Sequence, residues 1–238
     1  MELPGKSLPK SEYYTEGVAE YVMVLFPGEF KGICVDVGAY DPMWLSNSWI
    51  LEQAGWEVHC IEPNPKCIPQ LKKLRKYVYE CACGEHNEDN VELFVYYNDT
   101  AGEAAGTGLI KHTDPYAEKI FSHTLTTNVR TLDWLMENEI KRDHIDYLSI
   151  DVEHNEMAVL RGTDLERWKP KVIVIESLSD SEKAEQREWL KERMYRLVHR
   201  IVYNDIYIRE DYYNSCLFLD QGVKTFRHSN PAYHPAIA

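Results

Sequence analysis

The sequence predicts an α/β fold: a doubly wound, mostly parallel sheet that ends in an antiparallel C-terminal strand. Three observations carry that prediction. Helical and strand periodicities alternate along the 238 residues. The strand candidates are near-continuous apolar runs, as expected where helices cover both faces of a sheet. Four of these runs also stop at a carboxylate: Asp36, Glu62, Asp151 and Glu176.

The first run, Ile33-Cys34-Val35-Asp36-Val37-Gly38-Ala39-Tyr40-Asp41, reads as a buried strand ending near Asp36 and entering a turn. Gly38 allows a sharp turn and a close ligand approach there. A helix is expected over 47–54, a second strand over 57–62 and a helix from Pro65 to about Arg75. The spacing from Asp36 to Glu62 suits a βαβ unit whose second acid accepts hydrogen bonds from a ribose diol. A pyrophosphate site needs G-x-G-x-x-G, whereas here only Gly38 is present and Asp41 adds negative charge. S-adenosylmethionine, with its cationic amino-acid group, therefore fits better than a nicotinamide dinucleotide.

Upstream, Tyr14, Val18, Tyr21, Val22 and Leu25 fall at helical spacing, so residues 1–28 should form a helical cover over the first strand or the mouth of the site. Downstream, 78–82 reads as a third strand, and 91–97 alternates like a strand that extends the sheet on that side. Residues 98–124 lose periodicity and are rich in glycine, which predicts a lid or acceptor loop. A strand over 127–130 leads to Thr131 as a helix N-cap with Asp133 in the first turn. Strands over 145–151 and 171–176, a helix over 181–193, and strands over 197–203 and 216–219 complete one domain spanning 1–238.

Composition narrows the function. With 26 Lys plus Arg against 39 Asp plus Glu, the net charge of -13 disfavours a phosphate backbone as partner, so no nucleic acid is expected. The start lacks the apolar run of a signal peptide and no 18-residue apolar stretch spans a bilayer, so no membrane is expected and a cytoplasmic location is. The six cysteines suit reduced thiols better than a disulfide framework, and Cys81-Ala82-Cys83 lacks the second pair of a zinc site.

The densest chemical patch is Asp151-Val152-Glu153-His154-Asn155-Glu156, at a strand-to-helix turn. Glu156 suits a structural place in the helix's first turn, whereas Asp151, Glu153 and His154 are catalytic candidates. Asp151, Glu153 and Glu176 are the candidates for a divalent ion such as magnesium or manganese.

The segments Val35-Asp36-Val37-Gly38-Ala39, Ile61-Glu62-Pro63-Asn64-Pro65, Arg130-Thr131-Leu132-Asp133, Asp151 to Glu156 with Leu160 and Gly162, and Val174-Ile175-Glu176 occur in order, and together they resemble the FkbM family of S-adenosylmethionine-dependent methyltransferases. The resemblance runs over roughly residues 10–210 and implies a Rossmann-like class I methyltransferase fold. It implies O-methylation of a small-molecule or glycan hydroxyl, a sugar foremost. It further implies Asp36 and Gly38 near the methionine part, Glu62 on the ribose, and Ala82 with Cys83 near the adenine. Ala39, Tyr40, Pro63, Asn64 and Asp151 complete the implied cofactor set. The family usually has Gly where this chain has His154, whose side chain could supply a base, bind a metal or merely occupy an open position. A nicotinamide-dependent oxidoreductase and a non-catalytic cofactor-binding module are the alternatives.

Overall fold

A computed structural model describes residues 17–97, 107–111 and 120–215. Its main sheet has seven strands: β1 (Ile33–Val37), β2 (Glu57–Ile61), β3 (Tyr77–Tyr79), β7 (Tyr147–Ile150), β8 (Val172–Glu176), β9 (Tyr195–Ile201) and β10 (Asn204–Arg209). They run in the order β3-β2-β1-β7-β8-β10-β9. β10 lies antiparallel to both β8 and β9, and the other pairings are parallel. The order reverses between β1 and β7, the switch point at which open α/β sheets bind ligands.

Alternate side chains of each central strand feed two separate cores. Cys34, Tyr147, Val172, Val174, Ile206 and Ile208 pack on one face with Tyr21 and Val22 of α1 (Val18–Val24), Leu51 of α2 (Trp49–Gln53) and Leu71 of α3 (Ile68–Leu74). Val35, Val37, Leu148, Ile150, Ile173, Ile175 and Tyr207 face the other way. They meet α4 (Leu132–Leu135) and its π-helical extension Met136–Ile140, α5 (Glu156–Arg161), α6 (Leu165–Trp168) and α7 (Asp180–Glu192). Strands buried on both faces take apolar residues at most positions, which is why they read as near-continuous runs. The N-terminal helix thus covers a sheet face; the part of it expected over 10–16 lies outside the described residues. Thr131 caps α4 as expected, its hydroxyl accepting from the Trp134 N–H at 3.0 Å.

Four expectations are corrected. The strand expected over 78–82 is two: β3 joins the main sheet, and β4 (Ala82–Cys83) leaves it to pair with β6 (Ile120–Arg130). The alternating run is β5 (Glu88–Tyr97), which builds a second sheet β4-β6-β5 instead of extending the first. β6 also occupies 120–124, a stretch read as aperiodic because its Ser, His and Thr residues conceal the strand pattern. Finally, the partner of β9 is β10 at 204–209, and 216–219 lies outside the described residues. Asn204 and Asp205 interrupt the apolar pattern at the start of that strand, but Asp205 is fully buried because Arg187 and Arg200 neutralise it at 3.3 and 2.7 Å. Among the described residues no helix is long and apolar enough to cross a membrane.

Candidate active site

A cavity of about 340 Å³ opens beyond the carboxyl ends of β2, β1, β7 and β8 and is lined by all four strand-ending acids, Asp36, Glu62, Asp151 and Glu176, together with Glu153. The turn after β1 holds it open. Gly38 has φ 88°, and a Cβ there would lie 1.7 Å from the Asp151 carbonyl oxygen, so both conformation and space demand glycine. The Gly38 and Ala39 N–H groups donate to Ile61 O at 2.9 and 3.1 Å, and the Asp151 N–H donates to Val37 O at 2.9 Å. These bonds tie three strand ends together.

Glu62 is buried, and each of its oxygens accepts one backbone N–H: Oε1 from Asn64 at 2.8 Å and Oε2 from Tyr40 at 2.9 Å. Burial pushes its carboxyl up to about 7, against the two N–H donors that favour the charged form; nearby Asp36 raises it further. A carboxylate oxygen can accept more than one donor, so Glu62 retains capacity for a ribose diol. Asp36 is also buried; burial raises its pKa, while the Arg75 guanidinium and the Ser48 and Ser149 hydroxyls pull it down. Cys81, Ala82, Cys83, Ile61 and Leu93 make a small-residue, apolar wall beside Glu62, suited to a flat base. Burial raises the Cys81 thiol to about 12, so it serves as a packing surface and not a nucleophile. Gly38, the Glu62 bracket and this wall fit the nucleoside and amino-acid parts of S-adenosylmethionine.

Of the cofactor residues expected from sequence, Asp36, Gly38, Ala39, Tyr40, Glu62, Pro63, Ala82, Cys83 and Asp151 line the cavity. Asn64 stands behind it, bracing Glu62 and donating from Nδ2 to Thr107 Oγ1 at 3.1 Å. Asp41 is not among the lining residues; its Oδ1 accepts the Met43 and Trp44 N–H groups at 2.8 and 2.7 Å, a local turn instead of a ligand contact.

Asp151, Glu153 and Glu176 share the cavity, yet among the described residues no three His, Cys, Asp or Glu side chains converge as a metal-ligand cluster. His154 is not a lining residue: its Nδ1 lies 2.6 Å from Glu182 Oε1, at the start of α7. Its φ of 74°, beside 58° at Glu153, explains why a glycine suits this position. Glu156 anchors the turn from below, Oε1 accepting the Val152 and His154 N–H groups at 3.2 Å each. Burial carries its pKa up to about 7, against the N–H donors.

Of the expected lid, residues 107–111 and 120–124 are described: the latter belong to β6, and the former run along the cavity. Gly108 pairs with Phe94 of β5 through N–O distances of 2.9 and 3.1 Å, and a Cβ on Gly108 would come within 3.1 Å of the Glu153 carbonyl. Thr107, Gly108 and Leu109 line the site. The remaining lid residues, 98–106 and 112–119, lie outside the described residues.

Sequence reading missed Trp44, Leu45, Ser46 and Asn47 of the loop after β1, and Tyr203 and Asn204 at the β9–β10 turn. A tryptophan between Pro42 and Ser46 in an obligatory loop was a usable signal. At the β9–β10 turn the local signal was Asn204 and Asp205, residue types that favour turns.

The sequence profile described as Methyltransferase FkbM domain matches residues 36–197. No curated protein matches the sequence significantly. Among solved structures, a precorrin-6y C5,15-methyltransferase from Geobacter metallireducens GS-15 aligns with a TM-score of 0.44 and 11% identity, covering 85% of this chain and 94% of that one. That likeness is too distant to bear on function, whereas the profile spans more than half of the sequence and contains every acid of the cavity. The chain belongs to the FkbM methyltransferase domain family.

Proposed function

We propose that the protein transfers a methyl group from S-adenosylmethionine to a hydroxyl of a small molecule or glycan, a sugar foremost. One observation carries the reading: the acids ending β1, β2, β7 and β8 converge on a single cavity at the switch point, inside the family-matched segment. S-adenosylmethionine, when bound, supplies a sulfonium-activated methyl. Glu62 holds the ribose hydroxyls, Ala82 and Cys83 flank the adenine, and Asp36 with the Gly38 turn takes the amino-acid part. The acceptor enters on the β7–β8 side, among Asp151, Glu153, Glu176, Tyr203 and Asn204, a combination of carboxylates, amide and aromatic ring that suits a polyol.

A carboxylate cannot deprotonate an alcohol outright. Asp151 and Glu153 instead orient the hydroxyl and take up its proton when the methyl passes from sulfur to oxygen, which would release S-adenosylhomocysteine as a neutral thioether, so positioning supplies most of the acceleration. His154 acts on this pair from behind, fixing the 153–156 turn against Glu182. Should a divalent ion take part, Asp151, Glu153 and Glu176 are the residues that would hold it. A cytoplasmic setting accords with the five cysteines among the described residues, all free and buried.

Calorimetry with S-adenosylhomocysteine and with NADH, followed by mass spectrometry of a monosaccharide and glycan panel incubated with methyl-labelled cofactor, tests the proposal. Binding of the nucleoside product and a labelled methoxy group on an acceptor are expected. Tight NADH binding without S-adenosylhomocysteine binding would overturn it.

A further inference from the structure

Arg75 closes α3, and its side chain is 0% exposed. It is not a lining residue, yet four of the groups it holds belong to the loop that lines the cavity or to the helix that follows. Nη2 donates to Ser48 Oγ at 2.6 Å, Nη1 donates to Pro42 O at 3.0 Å and to Ser46 Oγ at 3.3 Å, and Nε donates to Glu52 of α2. Ser48 Oγ in turn donates to Asp36 Oδ2.

A buried ion pair kept only for the core would be complete with Glu52. Here the other guanidinium hydrogens reach the two ends of the loop, Pro42 and Ser48, and the residues between them, Trp44 to Asn47, form one wall of the cavity. That loop holds Leu45 at φ 56°, a left-handed conformation that leucine adopts only where its surroundings impose it. The planar five-donor fork of arginine can serve a carbonyl, two hydroxyls and a carboxylate at once; a lysine ammonium of similar reach cannot.

We propose that Arg75 is a positioning residue for cofactor binding: a single buried guanidinium sets the 42–48 loop and, through Ser48, the Asp36 carboxylate, and so shapes the amino-acid side of the cavity. This rests on the reading of the cavity as an S-adenosylmethionine site. Arg75 acts through Ser48, the loop and its charge near Asp36, and it is not itself a lining residue of the cavity.

The test measures S-adenosylhomocysteine affinity by calorimetry at low temperature, alongside thermal melting, for the wild-type chain and for Arg75→Lys, Ser48→Ala and Leu71→Ala. Leu71 is a fully buried core residue of the same helix and controls for stability alone. A tenfold loss of affinity corresponds to about 1.4 kcal/mol of binding free energy. The expected result is at least about tenfold weaker binding by Ser48→Ala and by Arg75→Lys, with Leu71→Ala melting lower but binding as the wild type does. If Arg75→Lys does not fold, Ser48→Ala decides, because it keeps the Glu52 and Pro42 contacts. Wild-type affinity in folded Ser48→Ala overturns the proposal and leaves Arg75 a core ion pair. A wild-type chain that fails to bind S-adenosylhomocysteine would instead remove the cofactor reading, and this inference with it.

Discussion

Lowering the pH from about 8 to about 6 should weaken S-adenosylhomocysteine binding roughly tenfold, and Glu62 is the reason. Glu62 is 5% exposed and its carboxyl is pushed up to about 7, burial outweighing the two N–H groups that favour its charged form. In the proposed complex the ribose hydroxyls donate to the ionised form. Each charge-assisted hydrogen bond of this kind is worth about 1.5–3 kcal/mol, equivalent to roughly 1–2 pKa units, so the bound carboxyl should titrate well below the free one. Binding below neutrality must then expel a proton. Affinity should be flat above about pH 7.5 and fall by up to about tenfold per unit between the free and bound pKa values. Calorimetry in buffers of different ionisation enthalpy counts that proton directly, and about 0.9 should be released near pH 6. Glu62→Gln removes the titrating group, so its affinity should be independent of pH and about ten- to a hundredfold weaker at pH 8. A wild-type affinity that stays constant from about pH 5.5 to 8 would refute the chain from burial to ribose contact.

Glu156, with its carboxyl also near 7, and ligand-free Glu62 both hold protons in the fold that the unfolded chain has released above its usual 4.5. Stability of the free protein should therefore fall as pH rises from about 4.5 to about 7, by up to about 1.4 kcal/mol per unit for each group; urea unfolding at several pH values measures it. Gly38→Ala should cost roughly 2–5 kcal/mol, combining a left-handed backbone with a clash on Asp151 O, and the melting temperature should drop with cofactor binding lost. His154→Gly relieves a left-handed residue while losing the Glu182 contact. It should change stability by no more than about 1 kcal/mol and leave nucleoside affinity intact, whereas a turnover loss of about 10²–10⁴ would return His154 to the role of base. Asp151→Asn should cut methyl transfer about a hundredfold or more with S-adenosylhomocysteine still bound; activity that vanishes in EDTA and returns with magnesium or manganese would assign Asp151, Glu153 and Glu176 to a metal instead.

The sequence by itself determined the central sheet and one end of its chemistry. Buried parallel strands take apolar residues at most positions, so β1, β2, β7 and β8 were legible from composition alone, and each ends at or next to its acid because the strand-to-helix turn is local. The Gly38 turn and the Thr131 cap were legible for the same reason: backbone conformation and first-turn hydrogen bonds involve neighbours in the chain. Tertiary structure alone decided what depends on distant partners. Whether β5 extends the main sheet or starts another rests on its pairing with β6, and β10 hides behind an aspartate whose burial makes sense only beside Arg187 and Arg200. His154 looks like a base in sequence, but the left-handed turn directs Nδ1 to Glu182, a residue that folding brings to it from the next βα unit. Arg75 carries no motif at all; its contacts with Pro42, Ser48 and Glu52 exist only because α3 packs back across the loop after β1. Hydrogen bonds and charge pairs between segments far apart in sequence leave no periodic trace, which is why the supports of the site emerged only from the fold.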